Sequence, residues 1–311
     1  MTLLLTFLTW KRFRSEIKAY LLAALWLLVI YILAYAKFFV WSGDFAWGDR
    51  YVSTAVQFAA LLAVPLLVGI GTLSAGALLY VLLYLSPLGR GLTDPTRAAL
   101  MLGGMFGNTF NIGAPVLMFF FGREAVRYAA FNDMLMTMPF IWSIGVWIAT
   151  RLGSHEKPES YPSLWRILVS LPPLWAFVLG VSLQALDLAY RPLIAAAHMI
   201  GQATIPVTLF VLGMTIPWRN LTPRPEILTT AGVKLLIAPL IVAVCARTFF
   251  APLGEAQHAA ALEAATPAMM TALIMADRFR LDGAAAALLI GWSTILFWFS
   301  MPITLALGLI R

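Results

Sequence analysis

Two residue types on which much protein chemistry rests are nearly missing from this chain. It has one cysteine, Cys245, set in an apolar run, and three histidines, His155, His198 and His258, far apart. A lone cysteine excludes a disulfide framework and a thiol pair. Isolated histidines, none in an H-E-x-x-H arrangement or beside the cysteine, give a metal site nothing to start from, so no metal is expected. Charge is scarce too. Only 11% of the 311 residues are Asp, Glu, Lys or Arg, and the longest polar stretch is Arg151 to Arg166, too little to clothe a soluble domain. No segment resembles G-x-x-x-x-G-K-[ST], so direct drive by ATP is not expected.

What the chain has instead is apolar sequence. Hydrophobic residues make up 61% of it, against roughly 45–50% in soluble domains, so the expected partner is a lipid bilayer. The net charge of +7 comes from basic residues scattered between apolar segments rather than clustered on one face. They read as topology signals, and no nucleic-acid partner is expected.

A spanning helix needs about 20 mainly apolar residues, which selects segments near 18–41, 54–85, 98–121, 128–150, 166–187, 193–217, 227–250, 257–277 and 284–310. The start, MTLLLTFLTWKRFRSEIK, fits neither a signal peptide nor a span. Segment 54–85 is long enough for one tilted helix or for two short ones turning at Gly69 and Gly71. Read as one, it puts most connecting Lys and Arg on one side, including Lys11, Arg12, Arg90, Arg97, Arg151, Arg166, Arg219 and Arg278. The positive-inside tendency then places the N-terminus in the cytoplasm and the C-terminus outside the cell (inner or plasma) membrane. The link RLGSHEKPESYPSLWR, 151–166, with Pro158 and Pro162, divides residues 1–150 from residues 167–311 and reads as a cytoplasmic connector.

Two segments contain signs of a helix interrupted at membrane depth. GGMFGNTFNIGAPVLMFFFG, Gly103 to Gly122, carries Asn108, Asn111, Pro115 and several glycines. LEAATPAMMTALIMADRF, Leu262 to Phe279, carries Glu263 and Pro267. Asn111 precedes Pro115 by the same interval as Glu263 precedes Pro267, and the two pairs lie about half a chain apart. An odd number of helices separates them, so they cross in opposite directions. Paired interrupted helices in inverted repeats are a transporter design with substrate at the midplane. Half-helix N-termini carry partial positive charge suited to an anion, and asparagines add neutral donors and acceptors. Close packing and kinks alone also recruit Gly, Pro and Asn, and that reading stays open here.

At these residues the sequence resembles the auxin efflux carrier family of permeases, related in architecture to the bile-acid/sodium symporters. The resemblance runs through FGNTFNIGAPV and FGREAVRYAAFND, LVSLPPLWAFVLGVSL at 168–183, IGQATIPVTLFVLGMTI at 200–216, VKLLIAP at 233–239 and LEAATPAMMTALIMADRFRLD at 262–282. It implies an all-α polytopic membrane protein with the inverted-repeat transporter fold. Two crossed, proline-broken helices, near 98–121 in the first repeat and 257–277 in the second, would hold a substrate carboxylate where they cross. Carried over, Pro115 and Pro267 form the crossing, with Asn108 and Asn111 beside it. Thr271 stands where many bacterial members have asparagine, and Ala272 where plant members have proline. The family pattern has ten helices; nine are counted here, residues 1–17 being too short and too charged to supply the first, with ten as the alternative. A homodimer is implied by related carriers.

Ionisable groups at membrane depth are functional candidates by default. Glu263 is the candidate for a coupling proton, or a ligand of free amides near the break. Asp133 is the second, unless a cation such as Arg127 or Lys234 makes it structural. Gln202 and Thr204, ahead of Pro206, stand where the second repeat would reach the site. The expected function is secondary active transport of small organic anions, mono- or dicarboxylates or auxin-like, coupled to H+ or Na+ and without an organic cofactor. A sodium-coupled bile-acid-type symporter and a non-transporting receptor of the same fold are the alternatives. An intramembrane hydrolase built on Ser182 or Ser293 with His258 has only bare G-x-S triplets behind it, and no enzyme is expected.

Overall fold

The computed structural model describes residues 49–152, 221–250 and 254–306, with scattered helical positions between 175 and 214. The expected segments 18–41, 166–187 and 193–217 lie outside the described residues apart from those positions. The connector beyond Leu152, Gln202 and Thr204 lie outside them as well.

Among the described residues the chain is helical, and its β structure is one isolated bridge. We number the helices α1 (Asp49–Tyr80), α2 (Asp94–Met105), α3 (Ala114–Phe121), α4 (Arg123–Arg151), α5 (Pro225–Phe249), α6 (Glu255–Ala264), α7 (Thr271–Arg278) and α8 (Gly283–Ala306). Among the described residues, four stretches are long and apolar enough to cross a membrane: Ala60–Leu85, Arg123–Arg151, Pro225–Phe249 and Gly283–Ala306. The pairs α2–α3 and α6–α7 are each too short singly and meet end to end at a break.

Segment 54–85 is one helix. α1 runs through Pro65, Gly69 and Gly71 without interruption and continues as a wide turn, Val81–Leu85. No water is available at depth to rescue a backbone group that a turn would free, so an uninterrupted ladder is favoured unless another segment can supply partners.

Prolines leave a regular signature. Ala114, Met138 and Ala238 each immediately precede a proline, and each donates its N–H to a carbonyl five residues back, at Thr109, Asp133 and Val233. A proline ring crowds the carbonyl four residues before it and brings no N–H of its own. One turn of wider helix ahead of the ring accommodates this without ending the rod. Pro139 and Pro239 therefore sit inside continuous spans, and proline alone does not break a helix here.

α1 is central, packing against α2, α4, α5 and α6. Leu67 and Leu79 of α1 and Leu83 of the wide turn that continues it join Leu100, Leu102 and Met105 of α2 and Phe140, Ile141 and Ile148 of α4 in the core. Large apolar side chains also cover the outside, among them Phe119, Phe249 and Trp298, which suits lipid contact rather than water.

At one end, Asp282 ties the halves together. Its carboxylate caps α8 by accepting from the Ala285 N–H at 3.0 Å and takes the Thr96 hydroxyl of α2 at 2.8 Å. Thr93 caps α2 in turn, accepting from the Thr96 N–H at 3.3 Å. Both interrupted segments thus have a fixed end from which they run toward their breaks.

Candidate functional site

α2 ends at Met105 and the chain passes through Phe106 in an extended conformation. α6 ends at Ala264 and is followed by Thr266, Pro267, Ala268 and Met269. These two short extended stretches face each other antiparallel, with Gly107 opposite Ala268. The Asn108 N–H donates to the Pro267 carbonyl at 2.8 Å, and the Met269 N–H donates to the Phe106 carbonyl at 3.0 Å. Each break therefore satisfies the other's backbone, which answers how an interrupted helix persists in a medium without water.

The approach is close enough to require glycine. A Cβ at Gly107 would stand 2.3 Å from Thr266 Oγ1 and 2.8 Å from Lys234 Nζ, and one at Gly113 would stand 2.6 Å from Glu263 Oε1. Small residues at these two positions let the second break, with its polar side chains, press against the first.

The expected site residues fall around this contact unevenly. Pro267 lies in the pair itself. Pro115 does not: it is the second residue of α3, beyond the wide turn Thr109–Gly113. Asn108 is buried at the entrance to that turn, and half-buried Asn111 donates its amide to Asn108 Oδ1 at 3.0 Å. Thr271 opens α7, half-buried. Asp133 accepts from Thr109 Oγ1 at 3.3 Å. It forms no ion pair with Lys234 or Arg127, unlike Asp94, which pairs with Arg97 at 2.9 Å.

Glu263 is fully buried. Its Oε2 accepts from Asn132 Nδ2 at 3.3 Å, while its Oε1 and Asn132 Oδ1 have no partner. Lys234, on α5 and also buried, donates its ammonium to the Ala264 carbonyl at 2.7 Å. That carbonyl ends α6, where unsatisfied oxygens and the negative end of the helix dipole favour a cation. Thr266 Oγ1 donates to the Glu263 carbonyl at 2.7 Å. The arrangement is a buried acid, amine, amide and hydroxyl directly behind the paired backbones, able to hold charge without exposing it to lipid.

Ser293 plays a part that its triplet does not suggest. Its hydroxyl accepts from the Ala268 N–H at 3.0 Å and donates to the Ile290 carbonyl at 3.1 Å, bracing the second break from α8. His258 contacts its neighbour Gln257. Ser293, Asn132 and Thr266 are the site residues that the sequence reading did not assign here. Lys234 had a signal of its own, a lysine inside an apolar run.

A family profile described as membrane transport protein matches residues 51–305. A transporter of Methanothermobacter thermautotrophicus, named as uncharacterized, is 31% identical over 248 residues, covering 78% of this chain and 77% of that protein. An uncharacterized transporter of Methanocaldococcus jannaschii is 24% identical over 236 residues, covering 73% of this chain and 72% of that one. The chain belongs to this family of membrane transport proteins, the auxin efflux carrier family that its motifs resemble. It is an integral membrane protein by family and by its apolar helices.

Proposed function

We propose that this protein is a secondary carrier of small organic anions, mono- or dicarboxylates in class, and that it holds the anion's carboxylate beside the paired breaks. The carrying observation is the pairing itself, Asn108 to Pro267 and Met269 to Phe106. It brings together the wide turn Thr109–Gly113 that leads into α3 and the first turn of α7, where the partial positive charge of a helix start favours an anion. Half-buried Asn111 and Thr271 flank those turns and supply neutral hydrogen bonds that release a ligand more readily than a fixed charge does. The matched breaks fit two inverted repeats, 1–150 and 167–311, with transport by alternating access about the contact.

Coupling runs through protons taken by Glu263, with Asp133 and Lys234 as the other titratable groups near it. Ser293 is read as a brace, and the protein as no enzyme. The test is the melting temperature of the detergent-purified protein against malonate, malate, 2-oxoglutarate and indole-acetate at two pH values. A ligand at about 100 times its Kd adds roughly 2.7 kcal/mol to the native state, a readable shift. A shift lost in Asn111→Ala supports the site; no shift with any of the acids removes the carboxylate assignment. In proteoliposomes, Glu263→Gln should flatten the pH dependence of uptake, and an unchanged profile takes Glu263 out of the coupling role.

A further inference from the structure

The two oxygens of the buried Glu263 carboxylate have different surroundings. Oε2 accepts from Asn132 Nδ2 at 3.3 Å, whereas Oε1 has no hydrogen-bond partner among the described residues. Oε1 lies against the first break, 2.6 Å from where a Cβ on Gly113 would stand. Gly113 closes the wide turn Thr109–Gly113, which carries Asn111 and is the first turn of the helical rod that continues as α3. A helix start offers roughly half an elementary positive charge. An ionised Glu263 uses that charge from behind, so an anion arriving in front meets a neutralised helix end with a like charge beyond it.

A neutral Glu263 removes this conflict. In a protonated carboxyl group the carbonyl oxygen is the better acceptor, so the Asn132 amide keeps Oε2 as the carbonyl and leaves Oε1 to carry the proton. The other charged groups facing Glu263 are Asp133 from α4 and Lys234 from α5. Asp133 accepts from Thr109 at the opposite end of the wide turn. The Lys234 amine donates to the Ala264 carbonyl and lies against Gly107 rather than Gly113. α1 from Tyr51 to Tyr80 and α3, which also pack on α6, contain no charged residue.

We propose that Glu263 and the anion compete for the positive start of this rod, so that the protein binds a proton at Glu263 Oε1 together with each anion. A proton from water forms the O–H bond at Oε1, the carboxylate charge disappears and the helix start is released to the anion. Proton and anion then travel in the same direction. The inference deepens the carrier reading above, on which it rests.

The full-length protein in detergent is titrated calorimetrically with malonate, malate, 2-oxoglutarate and indole-acetate at about pH 6.5 and about pH 8.5, above the range in which the acids themselves titrate. Each titration is run in two buffers of different ionisation heat, which counts the protons taken up. The wild type is expected to take up about one proton per anion, with affinity falling by up to about tenfold per pH unit. Glu263→Gln, whose side chain stays neutral, should bind at the higher pH as tightly as the wild type does at the lower, with no proton uptake. Asp133→Asn should still take up the proton. Anion binding by the wild type without proton uptake overturns the inference and leaves the carboxylate assignment standing. No binding of any of the four acids at either pH overturns both. Proton uptake that Asp133→Asn abolishes and Glu263→Gln keeps overturns the assignment to Glu263. If Glu263→Gln is not recovered folded, the proton count of the wild type and of Asp133→Asn still decides.

Discussion

The two breaks meet as partners but are made of different material. The first, Phe106 to Asn108, is glycine and asparagine followed by a wide turn, and its nearby side chains, Phe110 and Asn111, reach the molecule's surface or stand half-buried. The second, Thr266 to Met269, is proline and small apolar residues, and its polar companions Glu263, Thr266 and Ser293 are fully buried. Lys234 holds its helix end, Thr266 its preceding carbonyl and Ser293 its Ala268 amide. The second break is braced from behind, while the first is shaped to fit it. A site that must be rigid enough to orient a ligand and open enough to admit one is served by this division, with bracing on one side and access on the other.

The sharpest way to break the comparison is to spoil the fit. Gly107→Val places a branched side chain where even a Cβ meets Thr266 Oγ1 at 2.3 Å and Lys234 Nζ at 2.8 Å. Both backbone bonds of the pair must part, and overpacking alone typically costs about 1–3 kcal/mol. Loss of monodisperse protein on size-exclusion chromatography is expected. Ala268→Gly, directly opposite, should be milder, since glycine in place of alanine in a regular element costs roughly 0.5–1 kcal/mol. Equal yields and equal melting temperatures for the two variants would mean that the approach is not tight.

A smaller effect tests the bracing. Ser293→Ala removes the acceptor of the Ala268 N–H at a fully buried position. An unsatisfied buried donor costs about 1–3 kcal/mol, so the melting temperature should fall by several degrees. Hydrogen exchange at Ala268 should rise more than at Asn108, whose acceptor is untouched. Uniform exchange across both breaks would show that the second is not separately held.

This division also explains what could be read from the chain before its structure. The apolar composition, the single crossing at 54–85 and the two interrupted segments were legible because length and helix-breaking residues act locally. Which residues face each other was not. Matching Asn111–Pro115 to Glu263–Pro267 by interval sets Pro115 opposite Pro267, yet Gly107 faces Ala268 and Pro115 opens α3. The reason is physical: Pro115, like Pro139 and Pro239, is absorbed by one wide turn, and the first break falls earlier, where glycine permits contact. Ser293 was unreadable because its role depends on α8 lying behind the break. Asp133 looked in need of a cation, but Thr109 serves it and the amine went to the end of α6.

The mildest change sharpens the access side. Asn111 has two amide hydrogens, one of which bonds Asn108 Oδ1 at 3.0 Å, so the other is free to meet a ligand oxygen. Asn111→Ala removes the donor to Asn108 Oδ1 but opens a half-exposed place that water can enter, so the melting temperature of the unliganded protein should fall less than it does in Ser293→Ala. The substitution should weaken anion binding by roughly tenfold, the loss of one hydrogen bond to a charged group. Thr271→Ala, on the braced side, should weaken binding less, since its hydroxyl is a single donor beside helix amides that remain. Titration of one bound carboxylate against both variants checks the order. If Thr271→Ala loses more than Asn111→Ala, the braced break is the one that grips the ligand, and the division of labour between the two breaks is reversed.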